Sequence, residues 1–182
     1  MALLSTHILR PFRVLAAVAL VTAACAREVA AQTLTQEEAL HLAFPDVDIV
    51  ERRTAYLDDA QLSLAADLAG QGASMESGIV TYYVARKGGE LQGVAYFDVH
   101  RVRTVSQVLM IVVGRDDRIR RIEVVRFSEP PEYRPPGSWL AQFDGRGLDG
   151  DLSLRQGIAN ITGATLTAGA ATSASRRVLA LH

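Results

Sequence analysis

The chain is expected to fold as an α+β domain, an antiparallel sheet of about four or more strands with helices before and after it. Three observations lead there. Helical patterns flank the middle of the chain. Apolar, β-branched runs fill that middle, and short turn signals separate them. Turns that short join antiparallel neighbours, because a parallel return needs a long crossover.

The elements follow in order. Arg10 and Arg13 precede a short apolar run from Val14 to Cys25, and Val29-Ala30-Ala31 places small residues before a cut after Ala31. This is the layout of a signal peptide over residues 1–31. A dozen or so apolar residues are too few for a mature span, although an N-terminal anchor or a buried helix is the alternative. Thr22-Ala-Ala-Cys25 is a weak lipobox, so lipidation at Cys25 is a second fate for this end. The expected location is the periplasm or the outer face of the cytoplasmic membrane.

Residues 32–74 read as an N-terminal helical segment. Thr35 and Glu38 form a capping box, and Pro45 stops the helix that follows. Leu57 to Leu68 is a second amphipathic helix, ended by Gly70.

From residue 75 to 182 the period changes. Ile79 to Ala85 is a strand, Arg86 to Glu90 a hairpin turn, and Leu91 to Val99 the return strand. Thr104 to Val113 is so apolar that both of its faces should be covered. Gly114 to Arg118 is the next turn, and Ile119 to Phe127 the fourth strand. Pro130 to Pro136 holds four of the six prolines and forms an irregular loop. Ser138 to Phe143 is a short helix in which Trp139 reads as a core anchor. A Gly/Asp-rich turn spans Gly145 to Gly150. The last helix is Ala-rich, opens near Ile161 and carries Arg176 and Arg177.

Composition excludes several functions. With 19 Lys+Arg against 20 Asp+Glu, no nucleic-acid partner is expected. One Cys rules out a disulfide framework or a thiolate-held metal cluster within the chain. His41, His100 and His182 are scattered without metal-ligand spacing, and His100, just past a strand, reads as solvent-facing. No residue is assigned a catalytic role.

The opening of the last helix holds the candidate site. Thr162 or a neighbouring hydroxyl is placed to cap it. Gly163 and Ala164 let the backbone approach a bulky group closely. Thr165 falls in the first turn, where free N–H groups and the helix dipole favour an anion. The residues themselves do not name that anion, and a merely capped helix is the plainer reading.

Ile161-Thr-Gly-Ala-Thr-Leu-Thr167 resembles the flavinylation motif of the FMN-binding domain family. That family includes the flavin-carrying subunits of the Rnf and sodium-pumping quinone reductase complexes. Its pattern is Asp-x-x-Ser/Thr-Gly-Ala-Thr, often continuing x-Ser/Thr. In the family a flavin transferase esterifies the FMN phosphate to the last Thr of that core. The resemblance implies Thr165 as acceptor, with Thr162, Gly163 and Ala164 before it and Thr167 in the trailing hydroxyl place. The family's Asp falls at Ala159, with Asn160 beside it.

Upstream, Gly78 to Tyr82, Lys87 to Glu90 and Gly93 to Phe97 are similar to the family's first hairpin. Val108 to Val113, Arg126 to Glu129 and Trp139 to Gly145 are similar to its later strands and loop. The resemblance implies an electron carrier with covalent FMN. Its partners would be the flavin transferase and a membrane-associated redox complex or another electron-transfer protein. Proximity in sequence suggests Phe143, Trp139 and Leu166 as the lining of a flavin slot. Glu129 is either a polar wall of that slot or, with Glu132, Arg126 and Arg134, part of a salt-bridged loop. The alternative function is a non-redox α+β envelope binding module without flavin.

Overall fold

The computed structural model describes residues 33–70 and 72–182. The signal peptide, its cut after Ala31 and Cys25 lie outside the described residues.

Helix α1 (Gln36–Ala43) begins as its capping box dictates. The Glu38 N–H donates to Thr35 Oγ1 at 3.2 Å, and the Thr35 N–H donates to Glu38 Oε2 at 2.7 Å. Helix α2 (Asp59–Ala69) starts two residues after Leu57, because Asp58 is its N-cap in a second capping box with Gln61. Gly70 closes it at φ +81°, a backbone angle that suits glycine.

Between these helices lies a strand that the sequence reading missed, β1 (Ile49–Tyr56). It pairs antiparallel with β2 (Ile79–Lys87), from Ile49 opposite Arg86 to Tyr56 opposite Ile79. Residues 32–74 are therefore not a purely helical segment. The reason for the miss is physical. β1 is an edge strand, and Glu51, Arg52 and Arg53 occupy its middle. Charge there hinders pairing with foreign strands but hides the apolar alternation.

The sheet has five strands in chain order, each antiparallel to the next. β3 is Glu90–Val102, β4 Val105–Val113 and β5 Ile119–Arg126. Gly88 and Gly89, both at positive φ, form the two-residue turn between β2 and β3. β3 runs three residues past the expected end, to Val102. The fold class is α+β.

Both faces of β4 are covered. Leu109, Ile111 and Val113 belong to one core cluster, whereas Met110 and Val112 belong to the other. The second cluster also contains Ala39 and Phe44, so α1 covers that face. The first cluster includes Trp139 and Leu140 of α3 (Gly137–Leu140), Phe143 of the 3-10 turn Ala141–Phe143, and the small residues of α4 (Thr165–Leu181). Ala168, Ala171, Ala174 and Val178 let α4 lie close to β3 and β4. Arg176 links α4 to α2: its guanidinium donates to Ala69 O, and to Asp149 O at 2.7 Å.

Candidate functional site

The start of α4 is built by a turn. The Ala164 N–H donates to Ile161 O at 3.1 Å, with Gly163 at φ +84°. Ala164 then takes the N-cap position, so no side chain caps the helix. The expected cap by Thr162 is therefore not formed. Thr162 lies too early, in the turn, and the cap position falls on a residue without an acceptor. The N–H groups of Thr165, Leu166 and Thr167 precede the first intrahelical bond, from Ala168 to Ala164. Thr165 is the first helical residue and is exposed.

The approach to this turn is clamped from α3 and from the 3-10 turn that follows it. Trp139 Nε1 donates to Ala159 O at 2.7 Å, and the Ala159 N–H donates to Gln142 Oε1 at 2.9 Å. The next residue, Asn160, donates through Nδ2 to Thr165 Oγ1 at 2.9 Å. The hydroxyl oxygen is thus oriented while its own proton remains available.

Thr165 and Leu166 stand on the wall of a cavity of about 920 Å³. α4, β2, β3 and the segment between α2 and β2 supply most of its lining. That volume is near the upper end of the usual range for ligand pockets. Leu166 is 56% exposed, an apolar side chain left uncovered at the cavity.

Other expected lining residues lie elsewhere. Phe143 is 0% exposed and packs edge-on against Trp139, with ring centroids 5.3 Å apart. Both rings belong to the core beneath α4, because the short helix carries them inward. Ala164 and Thr167 are also buried, while Thr162 and Gly163 are exposed ahead of the helix. Glu129 is half-buried. Among the described residues it forms no ion pair, and its Oε1 is buried without a hydrogen-bond partner. The salt-bridged loop is not formed, since Arg134 instead donates to Val124 O at 3.3 Å and lies over the Phe127 ring.

The same cavity holds a polar cluster that the sequence reading did not assemble. Asp98 accepts from Arg177 twice, Nε to Oδ2 at 3.0 Å and a terminal nitrogen to Oδ1 at 2.8 Å. His100 Nδ1 lies 2.8 Å from Asp98 Oδ1. His100 is not solvent-facing: its side chain is 8% exposed, because the longer β3 carries it under cover. Its Nε2 is buried and has no hydrogen-bond partner. The alternation Tyr96, Asp98, His100 was the available signal, since residues two apart share a strand face.

Burial pushes the Asp98 carboxyl up. The hydrogen bonds from His100 and Arg177, with their charges, outweigh that effect, and the net shift is downward. Asp98 is held as a carboxylate, which only accepts hydrogen bonds, so the shared proton sits on His100 Nδ1.

Among the described residues no group of His, Cys, Asp and Glu is arranged to hold a metal ion, and no helix is long and apolar enough to cross a membrane. No family model, curated protein or solved structure matches the chain.

Proposed function

We propose that the chain is an exported electron carrier whose FMN is joined through a phosphoester to Thr165. The observation that carries this reading is the placement of Thr165. An exposed hydroxyl opens a 17-residue helix without a side-chain cap, and the same residue borders the cavity of about 920 Å³. The motif residues Thr162, Gly163 and Ala164 form the turn that presents it.

Each group has a part. The N–H groups of the first turn and the helix dipole hold the phosphate. Asn160 orients the acceptor oxygen. Leu166 offers apolar surface to a ring in the cavity. Bound FMN supplies one- or two-electron chemistry, and the protein sets its surroundings. A tether retains the cofactor outside the cytoplasm and makes rebinding intramolecular. A flavin transferase would attach it from a donor whose FMN phosphate is held in a phosphoanhydride: the Thr165 oxygen bonds to the FMN phosphorus, the anhydride bond breaks, and the displaced phosphate group and the hydroxyl proton leave. A membrane-associated redox complex or another electron-transfer protein would exchange electrons with the flavin.

Colour tests the reading. The secreted chain, coexpressed with a flavin transferase, should be yellow and keep its flavin through denaturation in SDS. Flavin released by SDS would leave a flavoprotein without the covalent bond. A colourless protein without flavin would favour a non-redox binding module.

A further inference from the structure

We infer that His100 Nε2 is the contact that receives the polar edge of the flavin ring in this cavity. This deepens the electron-carrier reading and rests on it.

Three observations converge. First, His100 Nε2 is a buried polar atom without a partner, on a side chain that borders the cavity. Leaving such a group unpaired costs free energy, so a ligand that pairs it gains a defined contact. Second, the imidazole is already oriented. Asp98 holds Nδ1, and Arg177 holds Asp98 with a two-point grip. Asp98 and Arg177 are positioning residues, and they leave Nε2 as the ring nitrogen without a partner.

Third, one cavity joins the proposed anchor and the histidine. Thr165 and Arg177 lie on one helix, separated by a rise of about 18 Å. Long side chains on a helix lean toward its N-terminus, which brings the Arg177 guanidinium closer to Thr165 than its backbone is. Thr165, Arg177 and His100 all line this one cavity, so a flavin mononucleotide anchored at Thr165 shares it with His100. The pyrimidine edge of the isoalloxazine presents O2, N3–H and O4, an acceptor, a donor and an acceptor. Nε2 therefore finds a partner there whether it carries a proton or a lone pair.

The test uses the full exported chain, with histidine labelled in ¹⁵N, made with and without the flavin transferase. SDS gel fluorescence first shows whether flavin is attached. The expected result is a His100 Nε2 resonance that moves between flavin-free and flavin-loaded protein. His100→Gln and His100→Phe, compared at equal attached flavin, should shift the visible absorption band. Attached flavin with an unmoved Nε2 resonance and wild-type spectra in both variants would overturn this inference and leave the electron carrier standing. Absence of flavin from every fraction would overturn both. The resonance is read on wild-type protein, so an unfolded variant does not remove the test.

Discussion

Asn160 donates a hydrogen bond through Nδ2 to Thr165 Oγ1 at 2.9 Å, so the residue five places before the proposed acceptor orients its oxygen. The family resembled by this segment carries Asp one position earlier, where this chain has Ala159. The Ala159 backbone is engaged on both sides, by Trp139 and by Gln142. The clamp that presents Asn160 is therefore made by the main chain and does not depend on the Ala159 side chain.

Replacing Asn160 should then affect attachment more than folding. Asn160→Ala removes one exposed hydrogen bond and should change stability by no more than about 0.5 kcal/mol. The rate of flavin attachment should fall. Ala159→Asp points into solvent, should fold normally and should raise that rate. Time courses of gel fluorescence with one transferase check both, and an unchanged Asn160→Ala rate would contradict the orienting role.

Arg177→Met leaves Asp98 buried without its main counter-charge. The side chains of Asp98 and Arg177 are 10% and 14% exposed, so the loss should be about 3 kcal/mol in urea unfolding at neutral pH. Acid dependence supplies a second reading. The Asp98 pKa is lowered in the folded chain, so its stabilisation is present above the ordinary carboxylate range. It is lost as pH falls below about 4. In Arg177→Met the lowering is weaker, so less stability is lost on acidification and the pH dependence should flatten.

Core and cavity are separable by two substitutions. Phe143→Leu should cost about 1–3 kcal/mol, between the loss of one methylene and full truncation. It should leave the absorption of attached flavin unchanged. Leu166→Ser should do the reverse, with little change in stability and a shifted flavin spectrum. A spectral change in the first and none in the second would return the flavin to the short-helix aromatics.

Gly163→Ala tests the turn. A Cβ at Gly163 meets nothing within 4 Å, but φ is +84°. The cost is therefore one of backbone conformation, about 1 kcal/mol. Gly163→Asn should cost less, since Asn tolerates positive φ. Equal destabilisation by both, read from urea midpoints, would point instead to a lost packing contact.

The legibility of the sequence followed the range of each interaction. Capping at Thr35, the Gly88-Gly89 turn and the two-sided burial of β4 depend on near neighbours, and all three were readable. β1 was not, because its charged edge position removes the alternation that marks a half-buried strand. The start of α4 was read correctly as a helix opening and incorrectly as capped by Thr162 or a neighbouring hydroxyl. Thr162 falls two residues ahead of Ala164, which takes the cap position. The Asp98–Arg177 pair joins residues 79 apart in sequence. No local pattern could have matched them, and without that pair His100 reads as an isolated surface histidine. Trp139 was legible as a core anchor but also entered the flavin-slot guess, because nearness in sequence does not say which way a short helix faces.

The central claim is that Thr165 carries the flavin. The most direct measurement is flavin fluorescence in an SDS gel, with wild type, Thr165→Ala and Thr162→Ala each coexpressed with a flavin transferase. The account predicts a fluorescent band in wild type and Thr162→Ala that disappears in Thr165→Ala. A band that survives in Thr165→Ala, or no band in any of the three, would contradict it.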